Sequence, residues 1–113
     1  MNQLDQMNCQ PLTKSSVALP VDQQQQYINQ TPLWERQLVD GIPQLTRSFK
    51  FKDFSDALAF TDAVGKVANE QDHHPTIVTE WGSVKVTWWS HKVKGLHLND
   101  FIMAAKTDRL YSG

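Results

Sequence analysis

Apolar and polar positions recur along this chain with two different periods, and the longer period predicts helices. Between residues 55 and 71, apolar side chains return every third or fourth position, which is the stripe of an amphipathic helix. The stripe consists of Ala57, Phe60, Val64, Val67 and Ala68. A shorter helix is predicted over Val21–Gln30, where consecutive glutamines form a solvated face before Thr31-Pro32 ends it. A last helix is predicted over Leu98–Leu110.

The shorter period, an alternation of apolar and polar residues, predicts strands. The predicted strands cover residues 34–39, 45–51, 76–81 and 84–91. Asp40-Gly41 lies between the first two strands and Gly82-Ser83 between the last two, as expected for hairpin turns. The strands therefore form two hairpins, which the helix predicted over residues 55–71 separates.

This order of elements predicts an α+β fold, in which three helices pack on one face of a four-stranded antiparallel sheet. The other face has to be polar or pair with a second subunit, so at least a homodimer is expected. With 113 residues the chain fits one domain, over residues 19–113. Residues 1–18 are polar and show no period, and they are expected to form a flexible N-terminal arm.

The composition excludes several classes of partner and location. Eleven basic and 12 acidic residues give a formal charge of −1, which provides no attraction for nucleic acid or anionic lipid. Cys9 is the only cysteine, so an intramolecular disulfide is impossible; it is expected to be an inert exposed thiol in a reducing cytoplasm. No apolar run reaches the roughly 20 residues of a membrane span, and no signal peptide pattern opens the chain.

The candidate chemistry lies in the histidines. Asp72-His73-His74-Pro75 follows the central predicted helix, and Trp88-Trp89-Ser90-His91 closes the fourth predicted strand. His97 lies beyond this strand and is expected to be a surface residue at the N-terminus of the last helix. Imidazole gains and loses a proton near neutral pH. Because the second hairpin brings its last strand back beside the histidine pair, His73 and His91 are candidates to divide proton donation and acceptance between them.

Two other interpretations of the histidines compete with acid–base chemistry. Three imidazoles and a water could form an open zinc site. However, the adjacent His73 and His74 diverge in an extended chain, and the usual zinc spacings are missing, so no resident metal is expected. The histidine segments could also be polar loops without chemistry, an alternative that spacing alone leaves open. A serine nucleophile or a phosphate loop is disfavoured because the glycine-containing motifs of both are absent.

The wider context of these histidines resembles the pterin-4a-carbinolamine dehydratase family. The residues that carry the resemblance are Asp72-His73-His74-Pro75, Trp81, Thr87-Trp88-Trp89-Ser90-His91, Gly95-Leu96, Asp100 and the run from Phe49 to Phe54. It covers roughly Pro20 to Leu110, and Thr79-Glu80-Trp81-Gly82 is similar to bacterial members in particular. The resemblance implies the same α+β fold and a hydro-lyase that converts 4a-hydroxytetrahydropterin to quinonoid dihydropterin, without metal or cofactor. That step recycles the cofactor of aromatic amino acid hydroxylases and implies a link to phenylalanine hydroxylase.

The resemblance also implies roles for individual residues. His73 and His91 correspond to the acid–base pair, and His74, the third catalytic histidine, mainly holds the pterin. The implied substrate-binding residues are Asp72, His73, His74, Trp89, Ser90, His91, Lys92 and Asp100. The chain departs from the family pattern at Asn69, where many relatives carry glutamate.

Resemblance to animal members leaves a second function open. Some of them also act as dimerisation cofactors for a homeodomain transcription factor, so a protein-binding module without turnover is the alternative. A homodimer or a homotetramer is compatible with either function.

Overall fold

Two antiparallel hairpins build the sheet. Strands β1 (Glu35–Val39) and β2 (Ile42–Lys50) form the first hairpin, and β3 (Thr76–Glu80) and β4 (Ser83–Trp88) form the second. The strands β2 and β4 pair antiparallel at the centre, which gives the order β1-β2-β4-β3. This computed structural model describes residues 3–111 and confirms the predicted α+β fold with a four-stranded antiparallel sheet.

Three α-helices accompany the sheet, in the predicted order. They are α1 (Val21–Gln30), α2 (Phe54–Gln71) and α3 (Leu98–Leu110). The helix α2 begins where the carboxylate of Asp53 accepts a hydrogen bond of 2.8 Å from the N–H of Asp56. The bounds of α1 and α3 are as predicted, and α2 begins one residue earlier than expected.

The hydrophobic core lies between the helices and one face of the sheet. Its largest fully buried side chains include Trp88, Phe49, Phe101, Leu45 and Leu96. The apolar stripe of α2 is directed into this core. The opposite face is polar: there the hydroxyls of Thr46 and Thr87 hydrogen bond across β2 and β4 at 3.1 Å.

The predicted end of the fourth strand was wrong. The strand β4 ends at Trp88, and the chain then forms a loop closed by backbone hydrogen bonds between Ser90 and Gly95. Lys94 adopts a left-handed conformation, with φ of 51°, and thereby turns the chain back. His91 therefore lies on this loop and not on a strand.

The N-terminal segment contacts α3. Leu4 is 3% exposed and belongs to the core. The carboxylate of Asp5 pairs with Arg109 at 2.8 Å, and the backbone carbonyl of Asp5 accepts a hydrogen bond from Lys106. The boundary at residue 19 and the mobility of residues 1–18 stay predictions; residues 1–2 and 112–113 lie outside the described part of the chain.

Candidate active site

The helix α2 ends at a left-handed residue that directs the histidine pair. Asp72 has φ of 52° and ψ of 42°, and its N–H donates to the carbonyls of Ala68 and Asn69. Aspartate tolerates this conformation better than most residues. The turn leaves His73 with a side chain only 11% exposed, whereas His74 is exposed.

A buried carboxylate fixes the orientation of the inner histidine. Asp100 is fully buried and accepts three hydrogen bonds, from His73 Nε2 at 2.7 Å, Ser90 Oγ at 2.6 Å and the His97 N–H at 2.9 Å. These donors compensate the cost of burying the carboxylate. Because the carboxylate accepts at Nε2, this ring nitrogen of His73 carries hydrogen. The imidazole also stacks on the indole of Trp88, with centroids 5.8 Å apart and planes 9° apart.

The loop after β4 presents the third histidine. Ser90 is buried, but His91 beside it is exposed and stacks on the half-buried indole of Trp89, with centroids 3.8 Å apart. The amine of Lys92 donates to the carbonyl of Leu12 at 2.8 Å. The loop therefore offers an aromatic plane with an exposed imidazole lying on it.

His74 is held at the surface by a neighbour on α2. Its Nε2 lies 3.0 Å from Oδ1 of Asn69. This is the position at which the sequence departs from the family pattern. The amide here is a hydrogen-bonding partner without charge.

One cavity of about 430 Å³ joins these segments. Six of the eight predicted site residues line it, namely Asp72, His73, His74, Trp89, His91 and Lys92. Ser90 and Asp100 do not line it but lie beneath His73, bonded to each other. The cavity falls within the range of about 300–1,000 Å³ that is typical of small-molecule sites.

Sequence reasoning missed half of the lining. The additional residues are Cys9, Gln10, Pro11, Leu12, Gln71 and Asn99. Gln71 and Asn99 immediately precede Asp72 and Asp100, so proximity to the motifs could have identified them. No motif or period marked residues 9–12.

The thiol of Cys9 is half-buried, so the expectation of an exposed thiol was wrong. Burial raises the pKa of Cys9 to about 12, and the negative charge of Asp100 adds to this effect, while Lys106 opposes it. The thiol is therefore protonated at neutral pH, which agrees with the expected inertness.

His97 lies at the N-terminus of α3, as expected, where it caps the helix and is partly buried. Its Nδ1 accepts a hydrogen bond of 3.1 Å from the N–H of Asn99, and Asp100 completes a capping box. Burial lowers the pKa of His97 and the nearby His73 lowers it further, whereas the negative charge of Asp100 and a side-chain hydrogen bond with Asn99 oppose the shift. The cap requires neutral imidazole, because protonated Nδ1 cannot accept.

Two kinds of feature are absent from residues 3–111. Over this range, no group of three His, Cys, Asp or Glu side chains is arranged as metal ligands. Within the same part of the chain, none of the helices combines the length and the apolar character that a membrane span needs.

The fold and site define a class of protein: a small α+β domain whose cavity carries one carboxylate-oriented imidazole and two more exposed ones. The family described as Pterin 4 alpha carbinolamine dehydratase matches residues 17–110, and the chain belongs to this family. This membership identifies the chain as a dehydratase, that is, a lyase.

Individual relatives agree with this membership. A protein of Saccharophagus degradans, named as a candidate pterin-4-alpha-carbinolamine dehydratase, is 51% identical over 113 residues, which is all of both chains. The crystal structure of a transcriptional coactivator/pterin dehydratase from Brucella melitensis is similar, with a TM-score of 0.74 and 34% identity over 82% of this chain and 97% of that one. A pterin dehydratase-like protein identified as a RuBisCO assembly factor in the alpha-carboxysome has a TM-score of 0.58 and 26% identity, covering 68% and 87%.

Proposed function

We propose that this chain dehydrates a 4a-hydroxytetrahydropterin to the quinonoid dihydropterin and water by histidine acid–base catalysis. The observation that carries the proposal is the buried Asp100–His73 pair at a cavity that His91 and His74 share. Family membership supports the same reaction.

The reaction needs two proton movements and no change of oxidation state. One proton is delivered to the 4a-hydroxyl, whose bond to C4a breaks as water leaves. Another proton is removed from N5, and the electron pair of that N–H bond forms the N5=C4a double bond. One general acid and one general base in the same cavity can therefore catalyse the whole step.

His73 and His91 form the proposed acid–base pair. Asp100 engages Nε2 of His73, which leaves Nδ1 as the nitrogen that exchanges a proton with the ligand. His91 is exposed and can exchange its proton with solvent between turnovers. Two imidazoles in such different surroundings are suited to opposite roles.

The remaining site residues bind the pterin or position the pair. His74, Asp72 and Lys92 contact the ligand from the rim of the cavity. The indole of Trp89 lines the same cavity and supports the imidazole of His91, which stacks on it. Ser90 and Asp100 act on the ligand through His73, because both lie beneath it.

Turnover of the single variants His73→Ala and His91→Ala tests the assignment. Loss of the 4a-hydroxypterin absorbance is followed in the presence of each purified variant. Each substitution is expected to slow the reaction by about 10²-fold or more, the usual contribution of one acid or base. His97→Asn is the matched control, because it removes an imidazole outside the cavity and keeps a side chain able to cap α3. Wild-type rates for both alanine variants would refute the acid–base assignment.

We further propose the wider setting that the family suggests. The chain recycles the pterin of an aromatic amino acid hydroxylase such as phenylalanine hydroxylase, in the cytoplasm. It does so as a homodimer or homotetramer, because one face of its sheet has no helices packed on it.

The names of the two similar structures favour a second candidate function, that of a protein-binding module. One is called a transcriptional coactivator and the other a RuBisCO assembly factor. A stable stoichiometric complex of a turnover-deficient His73→Ala variant with one identified protein would support this function. Full dehydratase activity together with the absence of any such complex would argue against it.

A further inference from the structure

A short stretch near the N-terminus bridges the two segments that carry the candidate histidines. We name residues 8–12 the N-terminal wall. One end of this wall contacts Gln71, which directly precedes the Asp72-His73-His74 turn. The other end contacts Lys92, which directly follows His91. The family match begins at residue 17, so the wall lies outside the part of the chain that the family defines.

Besides a long bond of 3.8 Å from Cys9 Sγ to the Asn99 carbonyl, five hydrogen bonds fasten the wall. At its first end, the Cys9 N–H donates to Gln71 Oε1 at 2.7 Å, and Gln71 Nε2 donates to Asn8 Oδ1 at 3.0 Å. In its middle, Gln10 N–H donates to Asn99 Oδ1 at 2.9 Å, and Asn99 Nδ2 donates to the Gln10 carbonyl at 2.8 Å. The fifth bond joins Lys92 to the wall's last residue. Asn99, which forms this reciprocal pair with Gln10, is only 2% exposed.

This fastening determines which groups of the wall face the cavity. The bonds from Gln71, Asn99 and Lys92 engage main-chain atoms of the wall or the side chain of Asn8, and they do not use the side chains of residues 10–12. Gln10, Pro11 and Leu12 all line the cavity together with the candidate histidines. They offer one amide, able to donate and accept, beside two apolar surfaces.

We propose that the N-terminal wall is a specificity-determining part of the active site. It contacts the substituent at C6 of the pterin, the part of the molecule in which pterins differ, while the histidines act on the ring. The inference rests on the proposed dehydratase function. The amide of Gln10 favours a hydroxylated substituent, and the apolar surfaces of Pro11 and Leu12 limit its size.

Substrate discrimination tests the wall directly. We would measure kcat/KM for two 4a-hydroxytetrahydropterins that differ only at C6, one with a methyl group and one with a dihydroxypropyl group. The double variant Pro11→Gly/Leu12→Gly and the single variant Gln10→Ala should each change the ratio of the two values by about 10-fold, the size of one lost pocket contact. Gln10→Ala replaces an exposed side chain, so it reports even if the double variant does not fold.

Asp5→Asn is the matched control. It also alters the N-terminal segment, but its partner is Arg109 and it does not line the cavity, so the ratio should stay at the wild-type value. An unchanged ratio in Gln10→Ala and in every folded wall variant would overturn the inference.

Protection of Cys9 provides a readout that does not depend on turnover. A non-reactive 7,8-dihydropterin with the dihydroxypropyl group should slow alkylation of Cys9 at pH 9 at least about 10-fold, because this residue lies in the wall and lines the cavity. Binding is followed separately by quenching of tryptophan fluorescence. Binding of the dihydropterin without protection of Cys9 would overturn the assignment of the N-terminal wall to the substrate site. Absence of binding together with absence of turnover would overturn the proposed dehydratase function itself.

Discussion

A single carboxylate connects the parts of the site at the scale of residues. Asp100 accepts hydrogen bonds from His73, which follows α2, and from Ser90 in the loop after β4. It also accepts one from the backbone of His97 at the start of α3. The sequence identified the members of this cluster through motif resemblance. It did not show that Asp100 and Ser90 lie beneath His73, because that arrangement depends on tertiary packing. Asp100 is 27 positions from His73 and 10 positions from Ser90 along the chain.

Removing the charge of Asp100 should impair catalysis through His73. Asp100→Asn retains the shape of the side chain but removes its charge, and the amide can donate to Nε2 of His73 as well as accept from it, so one tautomer of the imidazole is no longer fixed. The expected result is a fall in kcat of at least about 10-fold, a changed pH–rate profile and a smaller change in KM. Asp108→Asn is the control, because Asp108 pairs with Arg47 outside the cavity. An unchanged pH–rate profile in Asp100→Asn would contradict the positioning role.

The cap at His97 should make the protein less stable in mild acid. The folded state lowers the pKa of His97, so the unfolded chain, with an ordinary pKa of about 6.5, binds this proton more readily. The stabilisation by neutral His97 is therefore complete above pH 6.5. It is lost as the pH falls through 6.5 toward the lower pKa that His97 has in the folded protein. Urea midpoints at pH 7.5 and 5.5 should differ more for the wild type than for His97→Asn. Equal differences in the two proteins would contradict this account.

At the scale of elements, the sequence predicted the three α-helices and the four strands but misplaced several of their boundaries, and the end of β4 matters most for the site. The alternation of apolar and polar residues continues past Trp88 to His91, and it therefore predicted a longer strand. The structure ends the strand because Ser90 turns inward to donate to Asp100 and pairs its backbone with Gly95. Local periodicity cannot report such tertiary bonds.

Two glycines in different elements should respond to alanine in opposite ways. Gly41 follows Asp40 in the first hairpin turn, and both are left-handed, with φ of 79° and 52°. Gly41→Ala should cost about 1 kcal/mol of unfolding free energy. Gly65 lies inside α2, and nothing would touch an added methyl group within 4 Å, so Gly65→Ala should add up to about 1 kcal/mol. Urea unfolding measures both; changes of the same sign would be inconsistent with these backbone assignments.

At the scale of the whole molecule, the N-terminal segment is the part that the sequence described least well. It is polar and without a period, yet Leu4 reaches the core and Cys9 contacts residues 62 and 90 positions away. Pairing over such distances leaves no local pattern. The predicted mobility of residues 1–18 can be tested on the intact protein.

The reactivity of Cys9 provides that measurement. Because burial raises its pKa to about 12, alkylation at pH 8 should be orders of magnitude slower in the native protein than in the unfolded chain. As urea increases, alkylation should become fast at the same concentration at which tryptophan fluorescence changes. Fast alkylation in the native protein would show that the segment detaches on its own, in agreement with a mobile arm.

The most direct test of the central claim is the rate at which the double variant His73→Ala/His91→Ala dehydrates a 4a-hydroxytetrahydropterin. The account predicts that this rate falls to that of the uncatalysed reaction, while circular dichroism shows an intact fold. It also predicts that the loss is smaller than the product of the two single losses, because the imidazoles act in one step. A folded double variant that turns over at the wild-type rate would contradict the account.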